Sequence, residues 1–482
     1  MHRVPSRNLT RTPLRLGMLC VLIFLALPVA ATAQDQTYES PTATALNVTS
    51  ASRAALEHFQ AGMWEWDNID SNAAAGHFEA ALAVDPSFGA ARVMHAGTAA
   101  GMTSAQRVEQ IAVGMMDMAR GTTVEQLLAL ALKESVSGNN VTAAMLVKAA
   151  SQLAPDAPHL AFRHAFLSGG NVEDMKKVTD RFPDFAPAWN VIAYNLYADG
   201  RTNEAVEAVT KYMELAPDHP NAHDSYAEIM QWEGETETAL AHYRKAVEIR
   251  PSYVTGYQGI AEAEWLLGNR DEARAALEEV AKLATSEIAR INAGRAIASS
   301  FMMEGKRAEA DAMFSEVAAA AAAGGFNGLA RTAHYQAAAN DAINGNGKSV
   351  TAHLARAAEL DGEGTTGYYA WASVTYALAG DLEAARTMTA SLEDTAPESA
   401  AGIVRVARAH LLLEEGDAEG AMRILESDDE TNMMVRALKA RCYKEMKQGD
   451  MAKELQAGVL ADPTLSFNNF SETTAVSEVR RM

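Results

Sequence analysis

The chain has 482 residues, of which 48% are hydrophobic and only 14 are prolines, and it carries 62 acidic against 41 basic residues, a formal net charge of −21 at pH 7. Such an acidic field repels phosphate backbones, so we expect no nucleic-acid partner and favour a basic or apolar protein segment. Runs of alternating Val, Ile and Thr bounded by turn residues do not occur, which indicates an all-α fold.

The first 33 residues have the pattern of a secretory signal peptide. Four arginines precede an apolar run at 16–30, and Ala31-Thr32-Ala33 forms a small-x-small cleavage site. The apolar run is shorter than the roughly 20 residues that a membrane-spanning helix needs. We therefore expect cleavage after Ala33, a periplasmic protein and no stable membrane insertion afterwards. The alternative is a protein anchored in the membrane through an uncleaved signal.

The next segment, residues 34–52, is rich in Ser and Thr, lacks periodicity and is predicted to be a flexible linker. Helical repeats are predicted from 53 to 466. Residues 89–123 keep helical spacing but few of the recurring residues, and 158–185 has the length of a shortened helix pair. The strongest repeats are predicted at 55–88, 124–157, 186–219, 220–253 and 254–287.

The most regular stretch is 186–287, in which one 34-residue unit occurs three times. Apolar residues at i, i+3, i+4 and i+7 predict a first helix in each unit, and a second apolar stripe predicts another. A glycine marks the end of each first helix. These glycines are Gly200, Gly234 and Gly268. Pro217 and Pro251 close the first two units, because proline cannot continue a helix.

These units resemble the tetratricopeptide repeat, a 34-residue helix-turn-helix motif. The residues that fit its signature are Trp189, Ala205, Pro217, Ala239, Tyr243, Ala246, Pro251, Tyr257 and Ala273. The resemblance implies a repeat protein of all-α class, a right-handed superhelical solenoid of about twelve antiparallel helix pairs. Together with the signal pattern of the first 33 residues, it indicates an exported bacterial protein. It also implies a non-catalytic scaffold that binds a protein or peptide.

The resemblance further implies where the partner binds, since first helices of successive units line a concave groove in this family. The corresponding positions hold Asn190, Tyr194, Tyr197, Asp224, Glu228, Trp232, Gln258, Glu262 and Trp265. Trp and Tyr are frequent binding anchors, and the carboxylates favour a basic or amide-rich segment. For Tyr197 and Trp265, packing between units is the alternative.

Some members of the family hold an acidic C-terminal tail with Lys, Arg and Asn at defined groove positions. The matching positions here are occupied by Asn190, Tyr194, Ser225, Thr255 and Gly259, of which only one has the required type. We therefore expect no binding to acidic C-terminal tails.

The most enzyme-like string, at 342–349, satisfies a permissive form of the phosphate-binding loop. That loop follows a β-strand, whereas here a helical pattern precedes it and Gly345 occupies the place of an inter-helix glycine. His219 and His223 have a metal-ligand spacing, but Pro220 places His219 in a turn before the helix. We expect no enzyme, cofactor or metal site. The alternative function is a carrier or sensor of a small ligand held between helix pairs.

Two features near the C-terminal half are less regular. An alanine run at 318–323, followed by two glycines, is a strong helix former with a stop and a candidate joint in the solenoid. Residues 467–482 fit no full unit and are either a cap or a loose tail. Cys442 is the only cysteine beyond the signal peptide, so no intramolecular disulfide is expected.

Overall fold

The computed structural model describes residues 48–50, 52–118, 121–361 and 364–482. The predicted signal peptide and most of the predicted linker lie outside these ranges. Within them the chain forms 25 α-helices and one short 3-10 turn at Glu398–Ala400, without a β-strand. The prediction of an all-α fold built from about twelve helix pairs is therefore confirmed.

The helices follow one another as pairs joined by short turns, and we number them in chain order. The first fourteen are α1 Arg53–Asp67, α2 Ser71–Val84, α3 Gly89–Thr98, α4 Ser104–Asp117, α5 Thr123–Val136, α6 Asn140–Leu153, α7 Pro158–Leu167, α8 Val172–Arg181, α9 Ala186–Ala198, α10 Thr202–Leu215, α11 Pro220–Trp232, α12 Thr236–Ile249, α13 Val254–Leu266 and α14 Arg270–Leu283. The others are α15 Glu287–Glu304, α16 Arg307–Ala323, α17 Asn327–Ile343, α18 Gly347–Asp361, α19 Thr366–Leu378, α20 Leu382–Thr395, α21 Ala401–Glu414, α22 Ala418–Leu425, α23 Met433–Glu445, α24 Gly449–Leu460 and α25 Phe470–Arg481.

The turn inside each pair depends on the residue types that the repeat supplies. Gly200, between α9 and α10, has a φ of +75°, a left-handed conformation that L side chains rarely adopt. Ala193 and Ala205 on the two helices are fully buried, so small side chains lie where the paired helices approach. A bulkier residue would overpack this contact.

The pairs group into two compact units. Unit 1 extends to Met230 and includes Ala241–Gly256, and unit 2 comprises Gln231–Leu240 and Tyr257–Met482. The division passes through the second and third repeats of the regular triplet. Each unit has its own core.

The core of unit 1 begins with an aromatic cluster between α1, α2 and the start of α3. The ring centroid of Phe59 lies 5.5 Å from that of Phe78 and 5.2 Å from that of Phe88. Gly62 permits this packing, because a Cβ atom there would lie 2.6 Å from the Phe78 ring. The two helices of the first pair are thus in close contact.

The end of α1 also contacts residues far along unit 1. Glu65 accepts hydrogen bonds from His219 Nε2 at 3.0 Å and from Arg250 Nη2 at 2.7 Å. Tyr212 donates its hydroxyl hydrogen to Asn68 Oδ1 at 2.8 Å. The first helix pair of unit 1 is therefore joined to its last described segment by buried polar contacts.

These contacts control the charge of Glu65. Burial alone would raise the pKa of its carboxyl group, but the hydrogen bond and charge of His219, with the charge of Arg250, outweigh burial and lower the pKa to about 2. Glu65 is only 1% exposed. The ionised carboxylate is thus a buried group whose stability depends on its contacts with His219 and Arg250.

In unit 2, the alanine run at 318–323 forms the end of α16. The loop-like string at 342–349 forms the end of α17, a turn in which Gly345 has a φ of +81°, and the start of α18. The string at 342–349 is therefore flanked by helices, and the described chain has no strand before it. This arrangement is the inter-helix turn expected here. Among the described helices, none is both long and apolar enough to span a membrane.

The last helix, α25, lies within unit 2 against α15, α17, α23 and α24. The side chain of Asn469 caps it by accepting hydrogen bonds from the backbone N–H groups of Ser471 and Glu472. Residues 470–481 are therefore an ordered helix of the unit 2 core.

Candidate functional site

The regular triplet places equivalent residues of successive first helices next to each other. Tyr194 of α9 and Glu228 of α11 are 34 residues apart, and the Tyr194 hydroxyl donates to Glu228 Oε2 at 2.6 Å. Both side chains are half-buried. The repeat period thus brings together two of the predicted groove residues.

A second equivalent pair, Asn190 and Asp224, lies one helical turn earlier on α9 and α11. The Tyr253 hydroxyl faces Asp224 Oδ2 at 3.4 Å and donates to Asn221 Oδ1 at 2.9 Å. Within the described structure, Asn190 Oδ1 and Asp224 Oδ1 are buried without a hydrogen-bond partner. We call Asn190, Tyr194, Asp224, Glu228 and Tyr253 the polar cluster.

The polar cluster has unusual electrostatics. Burial raises the pKa of the Asp224 carboxyl well above its usual range, and the negative charge of Glu228 raises it further. Burial and Glu228 likewise raise the pKa of the Tyr194 hydroxyl. A neutral Asp224 is thus favoured, and the cluster offers a hydrogen-bond donor, the carboxyl group of Glu228 and the amide of Asn190.

Two predicted groove residues lie in the cores of their units. Tyr197 of unit 1 is 7% exposed and Trp265 of unit 2 is 1% exposed. The Trp265 ring meets the edge of Phe467 at a centroid distance of 5.5 Å, and the Arg270 guanidinium lies 3.8 Å from its ring centre. In this conformation both aromatic side chains pack within the protein.

The other predicted groove residues of unit 2 are more accessible. Gln258 is exposed, and Trp232 and Glu262 are half-buried. Of the nine predicted groove residues, five therefore lie in unit 1 and four in unit 2. The hydrogen-bonded residues Tyr194 and Glu228 both belong to unit 1.

Sequence reasoning missed a recurring histidine pair. In each of three helix pairs, a histidine on the first helix faces one 19 residues later on the second. The pairs are His58 with His77, His223 with His242, and His334 with His353. The signal was the repeated 19-residue spacing, which lies outside the tetratricopeptide signature.

In the middle pair, the neighbouring groups indicate which ring nitrogen of His223 donates a hydrogen bond and which accepts one. His223 Nε2 lies 2.9 Å from the Pro217 carbonyl, so it donates there, and its Nδ1 accepts from His242 Nδ1 at 3.0 Å. Burial lowers the pKa of both imidazoles, and the neighbouring histidine lowers that of His242 further. Both rings are thus favoured in the neutral form.

The two histidines considered as metal ligands do not converge. His219 faces Glu65, whereas His223 faces His242. In the part of the chain that the structure describes, no three His, Cys, Asp or Glu side chains are grouped as metal ligands would be.

Unit 2 contains a pocket of about 310 Å³, at the lower end of the size range of small-molecule sites. It lies between α17, α19 and the start of α25. Its lining residues are Arg331, Thr332, Tyr335, Gly367, Trp371, Asn469, Phe470 and Ser471.

A family model described as tetratricopeptide repeat matches residues 186–219, the first unit of the triplet and the location of Tyr194. Residues 186–219 are thus a tetratricopeptide repeat. No curated protein matches the sequence of this repeat protein.

Two solved structures similar to this repeat protein are themselves tetratricopeptide repeat proteins. One is a thermophilic protein from Thermus thermophilus, with 18% identity and a TM-score of 0.31 over 35% of this chain and 96% of that chain. The other is from Parabacteroides merdae, with 15% identity and a TM-score of 0.37 over 61% of this chain and 99% of that chain.

Proposed function

We propose that the protein is an exported, non-catalytic scaffold that binds a protein or peptide partner along α9 and α11 of unit 1. The observation that carries the proposal is the polar cluster, in which Tyr194 and Glu228 are joined across two successive first helices. Tetratricopeptide repeats generally mediate protein–protein interactions, and the cluster lies within the repeats of highest regularity.

The chemistry of the cluster supports a partner segment of basic or apolar character. Glu228, which is half-buried, attracts a lysine or arginine. Tyr194 provides an aromatic surface for an apolar side chain. A basic or apolar peptide segment fits these groups best.

The test uses in-cell crosslinking followed by mass spectrometry, comparing the wild type with a Tyr194→Phe, Glu228→Gln double variant. We expect the double variant to lose the captured partner while its circular dichroism stays helical. The matched control is Glu207→Gln, which removes an exposed carboxylate from the second helix α10. A folded double variant that still captures the same partner would refute this site.

Export rests on the pattern of the first 33 residues and has a direct test. N-terminal sequencing of protein from the periplasmic fraction should begin at Gln34. A mature chain that retains Arg15 in the membrane fraction would instead support the uncleaved anchor.

A small-ligand carrier is the second candidate, and the pocket of unit 2 favours it. The pocket places the aromatic rings of Trp371 and Phe470 beside polar groups, as small-molecule sites commonly do. Native mass spectrometry of the purified protein should then show a bound molecule, and Trp371→Ala should release it. A ligand-free spectrum of gently purified protein would argue against this function.

A further inference from the structure

The helix α25 is polar in composition but buried in unit 2. All eight residues from Glu472 to Val479 are buried, and five of them are Glu, Thr or Ser. Helices buried on all sides are normally apolar. The surface around α25 therefore supplies polar as well as apolar partners.

The partners come from first helices of several different pairs. Phe470 stacks on Trp371 of α19 with ring centroids 3.9 Å apart. The Glu478 carboxylate accepts hydrogen bonds from His410 of α21 at 2.9 Å and from Arg441 of α23 at 3.1 Å. Aromatic and charged contacts thus hold the two ends of α25.

These contacts require a curved surface. A helix of 12 residues is about 18 Å long. Neighbouring helices pack about 8–10 Å apart, so the five first helices from α15 to α23 would extend over roughly 32–40 Å if they lay in a flat layer. Because α25 meets α15, α17 and α23 as well as Trp371 and His410, the first helices of unit 2 curve around it. The concave face of unit 2 is therefore occupied by the chain itself.

The fit of α25 is incomplete. Thr474 Oγ1 is buried and, within the described residues, has no hydrogen-bond partner. A buried hydroxyl without a partner is unfavourable. A ligand with an apolar side chain at that position would fit the same surface better.

We propose that the concave face of unit 2 is a binding groove for a helical partner segment, and that residues 467–482 occupy it as an internal ligand. The partner segment carries an aromatic residue and a carboxylate eight residues later, as Phe470 and Glu478 do. Their separation is about 12 Å along a helix, and in α25 these two residues contact Trp371 and the His410–Arg441 pair. A partner of this chemistry replaces α25, which residues 461–469 connect to α24.

This inference goes beyond the proposed function, because it concerns unit 2 and not the polar cluster of unit 1. Either of these two proposals can be refuted while the other still holds. Variants at Tyr194 and Glu228 leave every contact of α25 in place, and variants in α25 leave the polar cluster unchanged.

The experiment uses a fluorescent peptide with the sequence of residues 464–482 and the full-length protein. The wild-type chain should bind it weakly, since its own α25 competes. In full-length Glu478→Gln, α25 loses its charged contacts and leaves the groove more often, so the peptide should bind about tenfold more tightly or better. Arg481→Ala, at the exposed end of α25, should behave as the wild type. A peptide with Phe470→Ala should bind neither chain.

A second measurement needs only the wild-type chain and decides the matter even if Glu478→Gln misfolds. Hydrogen exchange of residues 470–481 should rise when the peptide is added in excess, because the displaced helix is exposed to solvent. Unchanged protection of α25 at saturating peptide, or equal weak binding to wild-type and folded Glu478→Gln chains, would show that α25 is a permanent part of the core and overturn the proposal.

Discussion

Replacement of Glu65 by glutamine tests whether the buried contacts between α1 and the distant end of unit 1 stabilise the fold. The substitution keeps the shape of the side chain and removes its negative charge. His219 and Arg250 then lose the charge that they face at 3.0 Å and 2.7 Å. We expect Glu65→Gln to lower the free energy of unfolding of unit 1.

The magnitude follows from the pKa of Glu65. Its fall from 4.5 to about 2 corresponds to about 3 kcal/mol, at ~1.4 kcal/mol for each unit. Removing one member of a buried ion pair has a similar effect, about 3–5 kcal/mol. For a unit of about 200 residues, a loss of about 3 kcal/mol lowers the melting temperature by roughly 6–12 °C.

The pH dependence has a definite sign. Because the pKa is lower in the folded state than in the unfolded state, Glu65 contributes its full stabilisation above about pH 4.5 and loses it as the pH falls towards 2. The difference in stability between wild type and Glu65→Gln should therefore be constant from pH 7 to 5 and narrow below pH 4.5.

The assay is urea denaturation combined with hydrogen exchange of peptides from α1. The matched control is Glu57→Gln on the same helix, whose ion pair with Arg53 is exposed and should be worth less than about 1 kcal/mol. Equal losses in the two variants, or a loss under about 1 kcal/mol in Glu65→Gln, would show that the contacts at the end of α1 do not stabilise unit 1.

Three further predictions concern the histidine pairs, the aromatic cluster of unit 1 and the binding of acidic C-terminal tails. Burial, and then the charge of His353, lowers the pKa of His334 to about 4. The free energy of unfolding should therefore fall as the pH drops from 6.5 towards 4, because the unfolded chain binds the proton more readily. In His334→Phe, the melting temperature should depend less on pH over this range. Gly62→Ala should cost about 1–3 kcal/mol in urea denaturation, because its Cβ would meet Phe78, whereas Gly76→Ala, with open space around it, should gain up to about 1 kcal/mol. A fluorescent peptide ending in EEVD should show no micromolar binding, and such binding would refute the prediction that the protein does not bind acidic C-terminal tails.

The helix pairs could be predicted from the sequence because the repeat encodes contacts between neighbours. Gly200 and the alanines at 193 and 205 have roles that follow directly from backbone conformation and side-chain size. The 34-residue period also predicted that Tyr194 and Glu228 occupy equivalent positions, and the structure joins them.

The remaining features depend on contacts that no repeat pattern specifies. Glu65 and Arg250 are 185 residues apart, and a repeat signature describes only adjacent units. Trp265 was predicted to line the groove from its place in the unit, but Phe467, which belongs to no repeat, packs against it. The burial of a groove residue can thus be decided by a segment outside the repeats.

The contact between Glu65 and Arg250 also affects the order of folding. Repeat arrays usually fold by propagation from any point, but the contacts of α1 with residues 219 and 250 form only after the intervening chain is available. At synthesis rates of about 5–20 residues per second, the 185 residues between Glu65 and Arg250 take roughly 10–40 s to make. During that interval α1 lacks the partners of its Glu65 carboxylate, so α1 reaches its native environment only after residue 250 has been made.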